Sequence, residues 1–165
     1  QTHRAGDIIR RLREFVSKGT TQRELVDIDQ LIRDVTELLD WELSNSQVEI
    51  DFSHCGHDCR VNVDKVQIEQ VLLNLVRNSL EAILNSDVKD GRVLLKTRLQ
   101  SDGMIEVTVS DNGPGVDVKR RGQLFDAFFN TKYDGMGMGL SISKSIEQAH
   151  QGHLRFDTDT TSGPK

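Results

Sequence analysis

No apolar run in this chain approaches the roughly 20 residues that a membrane span needs, and no signal peptide opens it. A soluble, cytoplasmic piece without direct membrane contact is expected, whose parent protein can still be membrane-bound. Cysteine is nearly absent. Only Cys55 and Cys59 occur, and two cysteines in a cytosolic domain call for no disulfide framework. A basic excess is missing as well, for the net charge is -5. Domains that wrap nucleic acid carry a basic patch or stripe. The short run Arg10, Arg11, Arg13 lies within a helical pattern and reads as a solvated face, so no nucleic-acid partner is expected. Apolar residues make up 36% and charged ones 28%, below and slightly above the globular average. With 165 residues, that suits one compact domain plus a polar extension. No internal repeat or low-complexity segment is present.

What is there begins with a helical pattern over 1–18. Ala5, Ile8, Ile9, Leu12, Phe15 and Val16 recur at three- and four-residue steps, a seam suited to a helix bundle or coiled coil. Gly19-Thr20-Thr21-Gln22 breaks it and opens a linker over 19–26. The rest, 27–165, reads as the main domain. Asp27 or Asp29 can cap its first helix, whose apolar stripe is Leu31, Ile32, Val35, Leu38 and Leu39. Gln47 to Phe52 alternates as a half-buried strand does, and Arg60 to Val63 reads as a short return strand after a polar turn. Asp64 and Gln67 form a capping box before a long helix reaching about Asn85. Its core face is expected to hold Val66, Ile68, Val71, Leu72, Leu75, Val76, Ile83 and Leu84. Val93 to Leu99 and Ile105 to Val109 read as a β-hairpin. A helix from about Gly139 to Ala149 and a last strand, Gly152 to Asp157, close the pattern. Helices alternate with hairpin-like strands. That predicts an α+β two-layer sandwich: a mixed, mostly antiparallel sheet with helices on one face, preceded by the N-terminal helix.

Four segments carry chemistry. On the long helix, Gln70, Asn74, Asn78 and Glu81 step by four, four and three and so share one face. Such a stripe can simply be solvated, or it can be a polar rail beneath a ligand. An Asn carbonyl oxygen is a hard donor suited to Mg²⁺. Next, Asp111-Asn112-Gly113-Pro114-Gly115 follows a strand directly. It can be an ordinary turn. Equally, a carboxylate at a strand end can accept from an exocyclic amine, and glycine lets the backbone approach a flat base. Third, Gly135-Met-Gly137-Met-Gly139-Leu140 opens a helix, where amides bind phosphate. It matches neither the dinucleotide fingerprint nor a Walker A loop. Fourth, Leu124 to Lys132 holds Phe125, Phe128 and Phe129, which can be core or can anchor a lid beside the glycines.

In this order the four segments resemble the N, G1, F and G2 boxes of the ATP-binding domain of sensor histidine kinases, part of the wider group shared with gyrase, mismatch-repair and heat-shock ATPases. The resemblance covers roughly residues 25 to 157. The pattern Arg77-Asn78-Ser-Leu-Glu81-Ala82, the Thr131-Lys132 pair and the short Tyr133-Asp134 spacer look closest to FixL-like kinases. Residues 4–16 resemble the end of the second dimerisation helix of that subgroup. The resemblance implies that Asn78 ligates Mg²⁺ with Asn74 on the same rail, and that Asp111 reads the adenine amine of ATP. Gly113 and Gly115 would shape the base pocket, with Val116 and Leu140 as walls. Gly137 and Gly139 would approach the phosphates, and Lys132, beside Thr131, would close over them. The implied reaction is transfer of the ATP γ-phosphoryl group to a histidine of the dimerisation domain of a homodimer, which then serves a response regulator.

The chain departs from that pattern in places. The acceptor histidine is expected upstream of residue 1, because His3 sits in an unmatched context. This piece alone is therefore expected to bind ATP without completing the kinase cycle, and no catalytic side chain is assigned. His150 and His153 read as surface residues. Glu81 stands where many members carry Lys, and a final strand is expected to be missing. An ATPase of the same fold would place Glu four residues before the Mg²⁺ ligand, but Asn74 stands there and an amide is not basic. An anti-sigma serine kinase is disfavoured by residues 4–16, and a decayed pocket by the intact boxes. His54-Cys55-Gly-His57-Asp58-Cys59 has zinc-ligand types, but its spacing is too tight for the usual two-knuckle site.

Overall fold

The computed structural model describes residues 22–44, 46–56, 58–126 and 138–157. The expected helix over 1–18 and the tail 158–165 lie outside them. Strand β1 (Glu24–Asp27) leads directly into helix α1 (Ile28–Leu43). Strands β2 (Val48–Ser53) and β3 (Arg60–Val63) follow, then helix α2 (Lys65–Leu84), strands β4 (Gly91–Leu99) and β5 (Ile105–Asp111), a 3₁₀ turn at Val118–Gln123 and helix α3 (Gly139–Ala149).

β1 occupies what the sequence suggested was the end of a linker. It pairs antiparallel with β3, Leu25 opposite Asn62. Its four residues bury only Val26, too short an alternation to read as a strand. The expected hairpin between β2 and β3 does not form. β2 instead runs parallel to β4, from Val48 opposite Gly91 to Ser53 opposite Lys96. Alternation marks a half-buried strand but does not name its neighbour. β4 and β5 do form the expected hairpin, Leu99 opposite Ile105, closed where the Gln100 amide donates to the Met104 carbonyl at 2.8 Å. Pairing among the described residues is therefore mixed and mostly antiparallel, as expected, although it divides into a β1–β3 ribbon and a β2–β4–β5 sheet. Residues 152–157 join neither, but Arg155 donates to Glu106 of β5 at 3.1 Å.

The layering follows from β4. Gly91, Val93, Leu95 and Thr97 are buried, while Arg92, Leu94, Lys96 and Arg98 are exposed. One face is therefore covered and the other is open. α1 covers it with Ile28, Leu31, Ile32, Val35 and Leu39, and α2 with Leu72, Val76, Leu80 and Ile83. Each fully buried aliphatic side chain contributes about 1.5–3 kcal/mol. Val66 and Leu84, expected in the core, stand 73% and 59% exposed in the first and last turns of α2. Asp64 caps α2 as expected, accepting from the Gln67 amide at 3.1 Å. No helix among the described residues is long and apolar enough to cross a membrane.

Of the two carboxylates proposed to cap α1, Asp27 does so, accepting from the Gln30 amide at 3.2 Å. Asp29 turns inward, is 7% exposed, and accepts from the Thr97 hydroxyl at 2.6 Å. A buried carboxylate is costly without such donors. Cys55 and Cys59, which needed no bond by the compartment argument, are joined in a disulfide. The sequence bracketed a polar turn but did not show that the turn returns both sulfurs to one point.

Thr97→Val removes the hydroxyl but keeps the shape. Unfolding free energy in urea should fall by about 1–3 kcal/mol. An unchanged midpoint would mean that the Asp29–Thr97 bond adds nothing net.

Candidate nucleotide site

Helix α2 carries the polar rail, and its apolar face is spent on the sheet. Asn74 is half-buried and engaged. Its Nδ2 donates to the Gly139 carbonyl at 3.3 Å and to Ser143 Oγ at 3.4 Å. Ser143 is fully buried, and its hydroxyl donates to the same Gly139 carbonyl at 2.9 Å. These bonds bind the first turn of α3 to the middle of α2. At its other end, α3 is held by His150. His150 Nδ1 lies 2.8 Å from the Ile146 carbonyl, and Nε2 accepts from the Asp64 amide at 3.0 Å. The two contacts are met together when Nδ1 carries the proton. His150, expected at the surface, is thus a half-buried link between α3 and the start of α2.

The Asp111 turn docks further along the same face of α2. The Gly113 amide donates to Asp111 Oδ1 at 2.9 Å. A Cβ at Gly113 would lie 2.8 Å from that oxygen and 3.4 Å from the Ala82 Cβ. Gly115 has φ +72°, the left-handed region that favours glycine. Asn112, to which the sequence assigned no separate role, holds the turn in place. Its Oδ1 accepts from the Arg92 amide at 2.7 Å, and its Nδ2 donates to the Asp90 carbonyl at 2.7 Å. The Asp111 carboxylate is exposed, and Val116 beyond it is half-buried.

Asn74, Asn78 and Ala82 are therefore one face of α2 at one-turn steps. α3 starts beside the first, the Asp111 turn sits beside the third, and Asn78 is exposed between them. Eight residues at 1.5 Å each separate the ends by about 12 Å. Met138 at the N-cap makes no side-chain hydrogen bond to the first amides of α3, and Leu140 on that turn is half-buried. Phe125 is half-buried too, with Lys144 of α3 over its ring at 5.5 Å. Thr131, Lys132, Gly137, Phe128 and Phe129 lie outside the described residues. Surface hollows of about 210 Å³ beside β1 and about 410 Å³ beside the end of α2 lie elsewhere. The strip of α2 between the start of α3 and the Asp111 turn, here termed the groove, is edged by polar groups. Ser143 escaped notice in the sequence because a serine inside a helix has no distinctive spacing.

A family model described as histidine kinase-, DNA gyrase B-, and HSP90-like ATPase matches residues 63–165, which span this groove. The chain belongs to that family. Membership implies ATP as the ligand of the domain. The chain is 40% identical to the sensor protein FixL of Bradyrhizobium diazoefficiens over 99% of its own length and 32% of that protein. It is similar to the nucleotide-free catalytic domain of the histidine kinase ThkA, with TM-score 0.68 and 28% identity, covering 77% of this chain and 80% of that one. It is also similar to ThkA in complex with the response regulator protein TrrA, with TM-score 0.73 and 25% identity over 92% of this chain and 42% of that one. The chain spans between 16% and 34% of the length of the curated relatives it matches.

Gly113→Ala tests the turn. The Asp111 side chain is exposed and can swing away from the new methyl, so unfolding free energy should change by no more than about 1 kcal/mol. The displaced carboxylate should weaken ATP by about tenfold in calorimetry, equal to about 1.4 kcal/mol. A large stability loss with intact ATP affinity would make the turn a structural element only.

Proposed function

We propose that this domain binds Mg²⁺-ATP and presents its γ-phosphoryl group to a histidine on a dimerisation domain. The parent would be a homodimeric, cytoplasmically acting sensor kinase that serves a response regulator. The observation that carries this reading is the one-turn spacing of Asn74, Asn78 and Ala82 on α2. It sets an exposed acceptor, an exposed Asn and the first amides of α3, to which Met138 gives no side-chain bond, along one groove about 12 Å long. That order suits a nucleoside at one end and its phosphates at the other.

Each group has a chemical part. Ionised Asp111 only accepts, so it favours the adenine amine over the guanine carbonyl. The first amides of α3 favour phosphate oxygens, and Gly139 keeps that approach open. The side-chain oxygen of Asn78 would hold Mg²⁺, whose charge offsets that of the phosphates. Val116 and Leu140 would wall the base. Thr131, Lys132 and Gly137 remain assigned to the phosphate end by resemblance alone. Little covalent chemistry falls to such a domain, which positions ATP and neutralises charge.

Asn78→Ala should lower ATP affinity in the presence of magnesium by about tenfold or more, and much less in its absence, as read by calorimetry. Unchanged affinity with magnesium would remove Asn78 from the site.

Asp111→Asn should weaken ATP and narrow its advantage over GTP, since an amide offers both a donor and an acceptor. Competition binding with the two nucleotides reads this directly. A wild-type chain that binds GTP as well as ATP would show the assignment of Asp111 to be wrong.

A further inference from the structure

One cluster lies apart from the nucleotide groove, where the loop between β2 and β3 crosses the start of α1. Cys59 is 2% exposed, Cys55 is half-buried, and both sulfurs share a point with a carboxylate oxygen of Asp29, all within 4.8 Å. Asp29 Oδ1 is taken by Thr97, and Oδ2 lies 3.9 Å from Cys55 Sγ. The loop is also a joint. The Cys59 carbonyl accepts from the Ile28 amide at 3.0 Å, and the next residues, Arg60–Val63, pair with β1. Neighbouring charges are matched to each other: Arg60 Nε donates to Asp58 Oδ1 at 2.6 Å, and this bond holds the Asp58 carboxyl below the usual carboxylate range. Both groups are exposed, so their pairing adds little to stability.

We propose that Cys55 and Cys59 form a reversible thiol–disulfide site, oxidised by low-molecular-weight disulfides such as glutathione disulfide, whose closure stiffens the β1–β3 ribbon. Cys55, the more exposed sulfur, reacts first. It loses its proton, and its thiolate attacks the glutathione disulfide. A mixed disulfide forms and one glutathione thiolate leaves. Cys59 then loses its proton and attacks the Cys55 sulfur, and the second glutathione thiolate leaves. The two departing thiolates take up the two protons, so two protein thiols become one disulfide while the reagent becomes two thiols.

Asp29 sets the rate of this exchange. In the dithiol state its Oδ2 can accept from the Cys55 S–H. Its charge opposes a thiolate at the same point, and the thiolate is the attacking species. The mechanical consequence follows from the joint. With the loop closed, the backbone bond from Ile28 to Cys59 and the pairing of β1 with β3 both hang on a cross-linked support. β1 is the strand by which the chain arrives from residues 1–21. The oxidised state therefore fixes the entrance to the domain without touching the groove. A zinc ion on the same sulfurs and Asp29 is the rival occupant, for these are its ligand types. The joined sulfurs and the engaged Asp29 Oδ1 favour the disulfide.

The test uses the whole chain, equilibrated in glutathione buffers from reducing to oxidising, quenched with an alkylating agent and weighed intact. The expected result is one transition, from a doubly alkylated chain to an unalkylated one two hydrogens lighter than the free dithiol. Amide exchange at 24–27 and 60–63 should be slower in the oxidised chain, with α2 unchanged. Asp29→Asn keeps an acceptor for Thr97 and should form the disulfide about tenfold faster with glutathione disulfide. Two cysteines that stay open to alkylation in oxidising buffer overturn the proposal, as does a zinc ion retained on the thiols. Equal exchange at 24–27 in both states removes the mechanical part. An unchanged rate in Asp29→Asn removes the role given to Asp29.

Discussion

The Asn74 clasp decides whether this fold has a groove. Helices α2 and α3 bury few apolar groups against each other, since α3 contributes only Ser143 and Ile146 to the buried set. Polar bonds set their spacing instead. Asn74 and Ser143 meet on the Gly139 carbonyl at one end, and His150 meets the Asp64 amide at the other. The helices are thus pinned antiparallel, with the start of α3 at mid-α2. Half-buried hydrogen bonds of this kind are directional, and leaving one unmade costs more than making it gains. They fix where the amides of α3 point more sharply than apolar contact would.

The sheet plays the complementary part. β4 buries alternate residues under α1 and α2, so α2 has no freedom to roll and its Asn74–Asn78–Ala82 face stays on the far side from the core. The Asp111 turn ends β5 and is bonded through Asn112 to the start of β4. Both ends of the groove are therefore referred to the same rigid sheet. One end comes directly through the turn, and the other comes through α2 and the clasp. This division makes the site geometry a property of the core.

Long patterns were legible in the sequence. α2 and its Asp64 cap, the β4–β5 hairpin and the helix beginning at Gly139 follow from periodicity, capping chemistry and turn residues over many positions. That Gln70, Asn74, Asn78 and Glu81 share one face of α2 was visible from spacing alone. Pairing partners were not, because β2 reads the same whether it lies against β3 or β4. β1 was hidden in four residues with one buried side chain. The inward turn of Asp29 and the engagement of His150 were also hidden, since both depend on partners 68 and 86 residues away. A sequence shows the type of a polar group. It does not show which distant group satisfies it.

The clasp also bears on which reaction the groove favours. Hydrolysis needs a base placed to take a proton from water. In ATPases of this fold the resemblance puts a Glu four residues before the magnesium ligand, which is the position of Asn74. An amide is a poor base, and here its Nδ2 is already committed to Gly139 and Ser143. The residue that would have to activate water instead holds the first turn of α3. Asn74 therefore supplies no proton acceptor at that position. Under the proposed function the nucleophile would come from another segment, and a histidine on a dimerisation helix would meet that need because its ring nitrogen can attack without a base on this domain.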